Sequence, residues 1–373
     1  MDAPPPHAHR STPGDPSRPR LRMVPEDFRV EEQLAYTPEG AGDHLHLWIE
    51  KRLRNTHEVA RIVAERAGVP PAAVGWAGRK DRVACTRQWF SVPGLDLARL
   101  ARIDWPEGVV VLDAVPHGRK LRTGVLRGNR FRIVLRGVTR AQRLAAAARL
   151  AEIVRRGMPN AFGAQRFGRR GDNAERGRAV LAAGRVRGDR RAARFWVSAL
   201  QSAVFNAVLA RRARVDRLLD GDVAVVHRTG GLFQGIDAAV EQSRARRFEI
   251  SPTGPIFGTK TLRATGPAGA IEAAVLADFD LPPMTHFTPP RGLRLYGARR
   301  SLRVRPTEIG WTTVGDDGLR LDFALPAGSY ATVLLETLFP EGVDDVSLRT
   351  TEADRGSIED VEDVEEGDLA DRG

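Results

Sequence analysis

The sequence has little cysteine, lysine and tyrosine, and it lacks long apolar runs. Cys85 is the one cysteine among 373 residues, which excludes an internal disulfide framework and a cysteine-rich zinc site. No apolar run approaches the roughly 18 residues that a membrane-spanning helix needs. The proline-rich start also lacks the apolar segment of a secretory leader. We therefore expect a soluble, cytoplasmic protein that does not associate with membranes.

The positive charge of the chain is carried almost entirely by arginine. Lysine and arginine total 58 against 47 acidic residues, a net charge of +11, and lysine occurs only at positions 51, 80, 120 and 260. Residues 340–373 hold 13 acidic residues and three arginines, a net charge of −10, which leaves about +21 on the rest. Arginine matches phosphate oxygens and stacks on bases, which favours an RNA or DNA partner. A genome-wide preference for arginine explains the charge equally well.

Composition separates two ends from a folded middle. Residues 1–20 contain six prolines and residues 341–373 are strongly acidic, so we expect both segments to be disordered. The middle is long enough for two or three domains.

Within the middle, helical and strand patterns alternate irregularly. Asn55 and Thr139 are predicted helix caps, for helices that end before Gly68 and Gly157, and residues 198–212 predict a third helix. The β-branched runs at 109–115 and 131–138 predict strands, and residues 222–234 predict a hairpin. Strands with interspersed helices indicate an α+β fold.

The most informative segment is residues 75–88, GWAGRKDRVACTRQ, in which an aspartate lies among cations. Positive charge from Arg79, Lys80 and Arg82 favours the ionised carboxylate of Asp81, and Gly78 permits a tight turn before it. An ionised carboxylate can act as a nucleophile or a general base. From these residues alone, a solvated or salt-bridged aspartate in a basic turn is the more common arrangement.

This segment resembles the signature of the TruD family, the tRNA pseudouridine-13 synthases. The pattern aromatic-Ala-Gly-x-Lys-Asp-x-x-Ala-x-Thr-x-Gln is matched from Trp76 to Gln88. Further segments match in the family's order and extend the resemblance to about residues 21–340: PEDFRVEE (25–32), RKLR (119–122), LRGNRF (126–131), MPNAFGAQRFG (158–168), SxxFN (202–206), GPIFG (254–258) and LPAGSYAT (325–332).

The resemblance implies that the protein isomerises uridine of tRNA, at expected position 13, to pseudouridine. Carried over by position, the catalytic aspartate is Asp81, whose carboxylate attacks the sugar or the ring of the target nucleotide. The residues expected to bind the substrate are Phe28, Asn129, Phe131, Tyr330, Arg22 and Lys80. The family commonly has lysine where Arg22 stands, a cation that pairs with the catalytic carboxylate, and some members have phenylalanine where Tyr330 stands. A redox-neutral isomerisation implies no cofactor and no metal.

The implied fold is a pseudouridine-synthase catalytic domain with a mixed, largely antiparallel sheet and flanking helices, into which an α/β TRUD domain is inserted. We place the catalytic domain at residues 21–156 and 306–340 and the inserted domain at 157–305. The cleft between them is expected to receive tRNA, and no obligate protein partner is expected.

Other readings of the residues remain. A non-catalytic RNA-binding or RNA-chaperone protein could keep the same architecture, and a metal-dependent nuclease would need a carboxylate cluster, which the isolated Asp81 does not provide. His44 and His46 share a strand face, but a pair of histidines alone is weak support for a metal site. Cys85 has no nearby histidine to activate it, so we expect it to be a small buried residue.

Overall fold

Three sheets carry the fold of the computed structural model, which describes residues 15, 17–168 and 170–347. The strands are β1 Arg20–Leu21, β2 Phe28–Leu34, β3 His44–Arg52, β4 Gly75–Trp76, β5 Cys85–Pro93, β6 Val109–His117, β7 Leu126–Arg136, β8 Met158–Pro159, β9 Ala224–Val226, β10 Leu232–Phe233, β11 Ile250–Ile256, β12 Ala298–Ser301, β13 Arg303–Val304, β14 Thr307–Val314, β15 Gly318–Pro326 and β16 Asp344–Asp345. The α-helices are α1 Thr56–Ala67, α2 Leu97–Leu100, α3 Arg140–Arg156, α4 Asn173–Ala182, α5 Arg190–Ala210, α6 Ala238–Arg246, α7 Gly266–Asp278 and α8 Ala331–Leu338. Short 3₁₀ turns occupy Pro25–Asp27, Pro71–Ala73 and Ala164–Phe167.

The large sheet is mixed and mainly antiparallel. Its central order is β14-β15-β7-β2-β5-β3-β6, with β1, β4 and β16 at its margins. The β2–β5 and β1–β16 ladders are parallel, whereas the other ladders of the described strands are antiparallel. The predicted α+β class and largely antiparallel sheet are confirmed.

Local capping explains where the predicted helices begin. The side chain of Asn55 accepts a hydrogen bond from the Glu58 amide at 2.7 Å, and Gly68 ends α1 in the left-handed conformation. Thr139 caps α3 as predicted. Helix α5 starts at Arg190 rather than at residue 198, because Asp189 caps a first turn whose arginines hide the apolar period. The predicted hairpin is the antiparallel β9–β10 pair.

One face of the large sheet is buried and positions the candidate site. Because side chains alternate along a strand, β2 directs Phe28, Val30 and Glu32 to the same face. Their cross-strand partners on β7 are Ile133, Phe131 and Asn129, respectively. The apolar members of this set belong to a core that α3 and α8 cover. Two polar residues, Glu32 and Asn129, therefore lie at the end of an otherwise apolar face.

The smaller sheet, in the order β10-β9-β11-β12, lies between two passages of the chain through a narrow connection. There β8 pairs antiparallel with β13, with Met158 opposite Val304 and Pro159 opposite Arg303. The chain thus leaves the large sheet and returns to it at adjacent points. We propose that this pair is the neck of the inserted domain expected at residues 157–305.

The segments predicted to be disordered lie mostly outside the described residues. The residues of each segment that adjoin the folded middle, however, form short strands. Arg20 already pairs with Arg136 in the large sheet. Beyond residue 340 the chain continues into β16, where Asp344 pairs with Arg20. These short strands contain arginine and aspartate, and aspartate is uncommon in strands, so composition alone did not predict them. Among the described helices, none is long and apolar enough to cross a membrane.

Candidate active site

Asp81 lies on a loop, residues 77–84, that joins β4 to β5 and is held by Lys51 of β3. Lys51 is fully buried, and its Nζ donates to the carbonyl oxygens of Arg54 at 2.6 Å, Lys80 at 3.2 Å and Asp81 at 2.8 Å. Burial lowers the pKa of Lys51 to about 7, and the nearby Asp81 opposes this shift. Contact of this buried Nζ with three carbonyl oxygens fixes the backbone of the aspartate itself.

Two further side chains fix the same loop from α1 and β5. Thr56 Oγ1 accepts from the Lys80 amide at 2.9 Å and donates to Gln88 Oε1 at 2.9 Å. Gln88 Nε2 in turn donates to the carbonyl oxygen of Gly78 at 3.1 Å. The glutamine of the sequence motif therefore acts on the loop that carries Asp81.

The carboxylate of Asp81 is paired on one side and open on the other. Arg22 Nη2 donates to its Oδ2 at 2.8 Å, and 38% of the Asp81 side chain is exposed. The resemblance implies that the cation at position 22 pairs with this carboxylate, and Arg22 forms that pair. The side chain is partly exposed, which leaves room for a reacting group.

Arg22 is itself held tightly. Its backbone has φ 57°, a left-handed conformation that is uncommon outside glycine. Its Cζ lies 3.9 Å from the centroid of the Phe28 ring, a cation–π contact, and its Nη1 donates to Asp345 Oδ2. The Arg22 side chain is 5% exposed, so it serves Asp81 more directly than it could serve a substrate.

The aromatic residues predicted to bind substrate form a packed group beside Arg22. Phe28 meets Phe131 edge to face with ring centroids 6.4 Å apart, and Phe131 stacks on Phe323 at 5.1 Å. Phe28 is 2% exposed and Phe131 is 9% exposed. Phe131 is thus packed against both rings, and only a small part of its surface is accessible.

Asn129 and Glu32 face each other across β7 and β2 with acceptors that lack partners. Asn129 Oδ1 and Glu32 Oε1 are buried and have no hydrogen-bond partner among the described residues. Glu32 Oε2 accepts from Lys80 Nζ at 3.1 Å, with side-chain exposures of 0% for Glu32 and 5% for Lys80. Burial raises the pKa of Glu32, and the charge of Lys80 opposes that rise. The ammonium of Lys80, which the resemblance places among the substrate-binding residues, contacts this buried carboxylate.

This ion pair gives a stability prediction. Lys80→Met leaves the buried Glu32 carboxylate without its partner, and we expect the free energy of unfolding to fall by about 3–5 kcal/mol. The double variant Glu32→Leu/Lys80→Met should recover most of the loss, because it removes both charges. Urea unfolding of the three proteins measures this, and a single variant within about 1 kcal/mol of the wild type would show that the pair is not desolvated.

Tyr330 lies on a second wall, at the start of α8. Its ring meets that of Phe162 at 6.2 Å, and the guanidinium of Arg300 lies 4.2 Å from the Phe162 centroid. Arg300 also donates to the Asn160 carbonyl at 3.0 Å and the Gly328 carbonyl at 2.7 Å. Arg300 of β12 thereby joins the smaller sheet to the turn that precedes Tyr330. The register brings this turn near Asn129, because Leu325 is the cross-strand partner of Asn129.

The other features that could form a functional site are a cavity, a histidine cluster and the single cysteine, and none of them contacts Asp81 among the described contacts. A cavity of about 320 Å³ lies on the opposite face of the sheet, but Asp81 does not line it, and three of its four arginines pair with acidic side chains, as in Arg87 with Glu50 at 2.8 Å. His46 is fully buried and hydrogen-bonded to Tyr36 at 2.9 Å, and burial lowers its pKa to about 4. No group of three or more His, Cys, Asp or Glu side chains in the described part of the chain is arranged to hold a metal. Cys85 is buried, as expected, and burial raises the pKa of its thiol, so it is a poor nucleophile.

A family model, two relatives and a solved structure that are similar to this chain all carry the same family name. A family model described as tRNA pseudouridine synthase D (TruD) matches residues 10–188 and 187–338. Proteins named tRNA pseudouridine synthase D from an Anaeromyxobacter species and from Thermus thermophilus are each 44% identical, over 87% of this chain and 93% and 90% of their own lengths. A crystal structure of a protein from Methanosarcina mazei that carries the TruD name has the same fold, with a TM-score of 0.71 and 22% identity over 87% of this chain and 94% of that one.

Proposed function

Because this chain belongs to the tRNA pseudouridine synthase D family and is an enzyme that isomerises uridine in tRNA, we propose that Asp81 is its nucleophile and that uridine 13 is its target. The observation that carries the proposal is the Asp81 carboxylate, which is fixed through its backbone by Lys51, paired at Oδ2 with Arg22, and still 38% exposed. A nucleophile needs this combination of fixed position and access.

The reaction that this carboxylate must perform is redox-neutral. The bond between ribose C1′ and uracil N1 breaks, a bond between C1′ and uracil C5 forms, and a proton leaves C5 while N1 gains one. An Asp81 oxygen bonds transiently to the sugar or the ring and is released at the end. The atoms and electrons balance without a further reactant.

The unpaired acceptor of Asn129 suits the edge of a uracil. Its buried Oδ1 can accept from the N3–H of the base, while the amide nitrogen can donate to a uracil oxygen. Phe131 and Tyr330 supply aromatic surface beside it. Taking a uridine out of its stack costs a few kcal/mol, which stacking and base-edge hydrogen bonds can offset.

Arginines near the Asp81 loop are suited to hold the tRNA backbone. The amide of Gly124 donates to the Ala77 carbonyl at 2.8 Å, which places residues 119–127 against the loop. These two segments carry the cations Arg79, Arg82, Arg119, Lys120, Arg122 and Arg127. Phosphate contacts of this kind position a nucleic acid without selecting its sequence.

These contacts make tRNA affinity dependent on salt. We expect the logarithm of the association constant to fall linearly with the logarithm of salt concentration, by about 0.7–0.9 per phosphate contact. The variant Arg119→Gln/Arg122→Gln should reduce the slope by about 1.5, whereas the exposed pair Arg61→Gln/Arg66→Gln on α1 should leave it unchanged. A filter-binding titration measures both slopes, and identical slopes in all proteins would contradict the placement of the RNA here.

The function is tested by incubating the full chain with unmodified tRNA in EDTA and analysing the nucleosides. Pseudouridine at position 13 supports the proposal. Tight tRNA binding with every uridine unchanged would favour the alternative, a non-catalytic RNA-binding protein. Conversion at another position would retain the nucleophile but refute the proposed target.

A further inference from the structure

A short C-terminal strand, β16, lies beside the candidate site. Asp344 and Asp345 pair in parallel with Arg20 and Leu21 of β1. The family model match ends at residue 338, so this strand lies outside the matched residues. It begins a strongly acidic stretch whose composition gave no sign of an ordered role.

Asp345 and Asp81 share one guanidinium. Arg22 Nη1 donates to Asp345 Oδ2, while Arg22 Nη2 donates to Asp81 Oδ2 at 2.8 Å. The side chains of Arg22 and Asp345 are 5% and 17% exposed, against 38% for Asp81. The two outer nitrogens of Arg22 thus each serve a different carboxylate, and the more exposed carboxylate is the reacting one.

Asp345 is itself oriented by its own turn. Its Oδ1 accepts from the Ser347 amide at 3.1 Å and from Ser347 Oγ at 2.7 Å, which leaves Oδ2 directed at Arg22. The β1–β16 ladder fixes the backbone on either side of the contact. The acceptor for Arg22 is therefore in place independently of Asp81.

Sharing the guanidinium changes how Arg22 can hold Asp81. An unshared guanidinium tends to grip a carboxylate with two nitrogens, one to each oxygen. Here Nη1 is occupied by Asp345, and among the described contacts Asp81 Oδ1 has no hydrogen-bond partner. Asp81 keeps one oxygen directed away from the cation that fixes the other.

We propose that Asp345 is a positioning residue for catalysis, which holds Arg22 so that it contacts Asp81 through one nitrogen and leaves Asp81 Oδ1 free to attack the nucleotide. This inference rests on the proposed function of Asp81. Without Asp345, Arg22 turns to engage both oxygens of Asp81, and the attacking oxygen is lost to an ion pair. The effect falls on the chemical step, because Asp345 does not itself contact the RNA.

The test compares steady-state kinetics of the full-length chain and its Asp345→Ala variant on tRNA. We expect kcat to fall by about 10- to 100-fold, the range for a displaced catalytic group, with KM within about twofold. Glu341→Ala removes a nearby exposed acid and should leave kcat unchanged. A wild-type kcat for Asp345→Ala, or a loss confined to KM, would overturn the proposal.

Coupling to Arg22 separates positioning from structural damage. Lysine at position 22 offers one ammonium in place of the shared fork, so Asp345→Ala should have much less effect on kcat in an Arg22→Lys background. Losses that multiply would show that Asp345 does not act through Arg22. Should Asp345→Ala fail to fold, Asp345→Asn retains the acceptor for Ser347 and is measured in its place, with the same expected fall. A wild-type enzyme that forms no pseudouridine would refute the proposed function, whereas an active enzyme indifferent to Asp345 would refute only this inference.

Discussion

Replacing Lys51 with methionine is expected to lower kcat for pseudouridine formation about 100-fold, the scale of a misplaced catalytic group. The variant removes the donor to three carbonyl oxygens, including that of Asp81, while methionine keeps the apolar stem. The loop then keeps its contacts with Thr56 and Gln88 but loses the one that holds the Asp81 backbone itself, so the carboxylate is displaced. Single-turnover rates at saturating enzyme measure the effect, and Lys260→Met, which changes an exposed lysine, is the control.

The same variant has a stability signature that depends on pH. Burial lowers the pKa of Lys51 to about 7 in the folded protein, against an ordinary value of 10.5. Between these values the unfolded chain binds a proton that the folded protein has released, so the free energy of unfolding rises with pH across this window. Lys51→Met should lack this component of the rise, whereas Lys260→Met should retain it. Urea unfolding at pH 7 and pH 9 measures the difference, and equal rises in all three proteins would contradict a lowered pKa for Lys51.

Replacing Asp81 with asparagine is expected to abolish turnover, with a fall in rate on the order of 10⁴-fold or more, as for removal of a catalytic nucleophile. Asparagine has nearly the same shape, but its amide is a far weaker nucleophile. Binding of tRNA should remain within a few-fold of the wild type, because the arginines that hold phosphates are unchanged. Rapid-quench kinetics and filter binding on the same preparations separate the two effects.

Two controls accompany the measurement on Asp81→Asn. Asp322→Asn changes an aspartate on the opposite face of the sheet, where it pairs with Arg132 at 2.7 Å, and should leave turnover near the wild-type value. Circular dichroism and unfolding of Asp81→Asn should match the wild type. Turnover that persists in Asp81→Asn would assign the nucleophile to another group.

The part of the site whose residues are close together along the chain was predictable from the sequence. The segment from Trp76 to Gln88 contains the catalytic candidate, the turn before it and the glutamine that holds that turn. The helix caps Asn55 and Thr139 were also predictable, because capping is a local interaction. The fold class followed from the spacing of such local patterns.

Lys51 and Asp345, which hold the site from elsewhere in the fold, were not among the predicted residues, because their contacts join distant parts of the chain. Lys51 acts on a loop 30 residues away, and Asp345 meets Arg22 across 323 residues. One signal was present for Lys51: it occupies the inward position of β3 that follows Leu45, Leu47 and Ile49. A lysine that continues an apolar alternation is a candidate for a buried ammonium. Asp345 offered no comparable signal within its acidic surroundings.

Lys80 and Arg22 each have a partner that their neighbours in the sequence do not reveal. Lys80 adjoins Asp81 in sequence, and the resemblance implies that it binds substrate; in the structure its Nζ contacts Glu32 of β2. Arg22 pairs with Asp81, as the resemblance implies, and also with Asp345. In both cases the partner lies on a strand that is distant in the sequence and whose register the sequence did not specify.

The central claim is that the Asp81 carboxylate converts a single uridine of tRNA. The most direct measurement maps pseudouridine at nucleotide resolution in tRNA from a strain that lacks this gene, complemented with either the wild-type chain or Asp81→Asn at equal protein level. We predict conversion at uridine 13 with the wild type and an unmodified uridine there with the variant. Equal conversion of that uridine by both proteins would contradict the account.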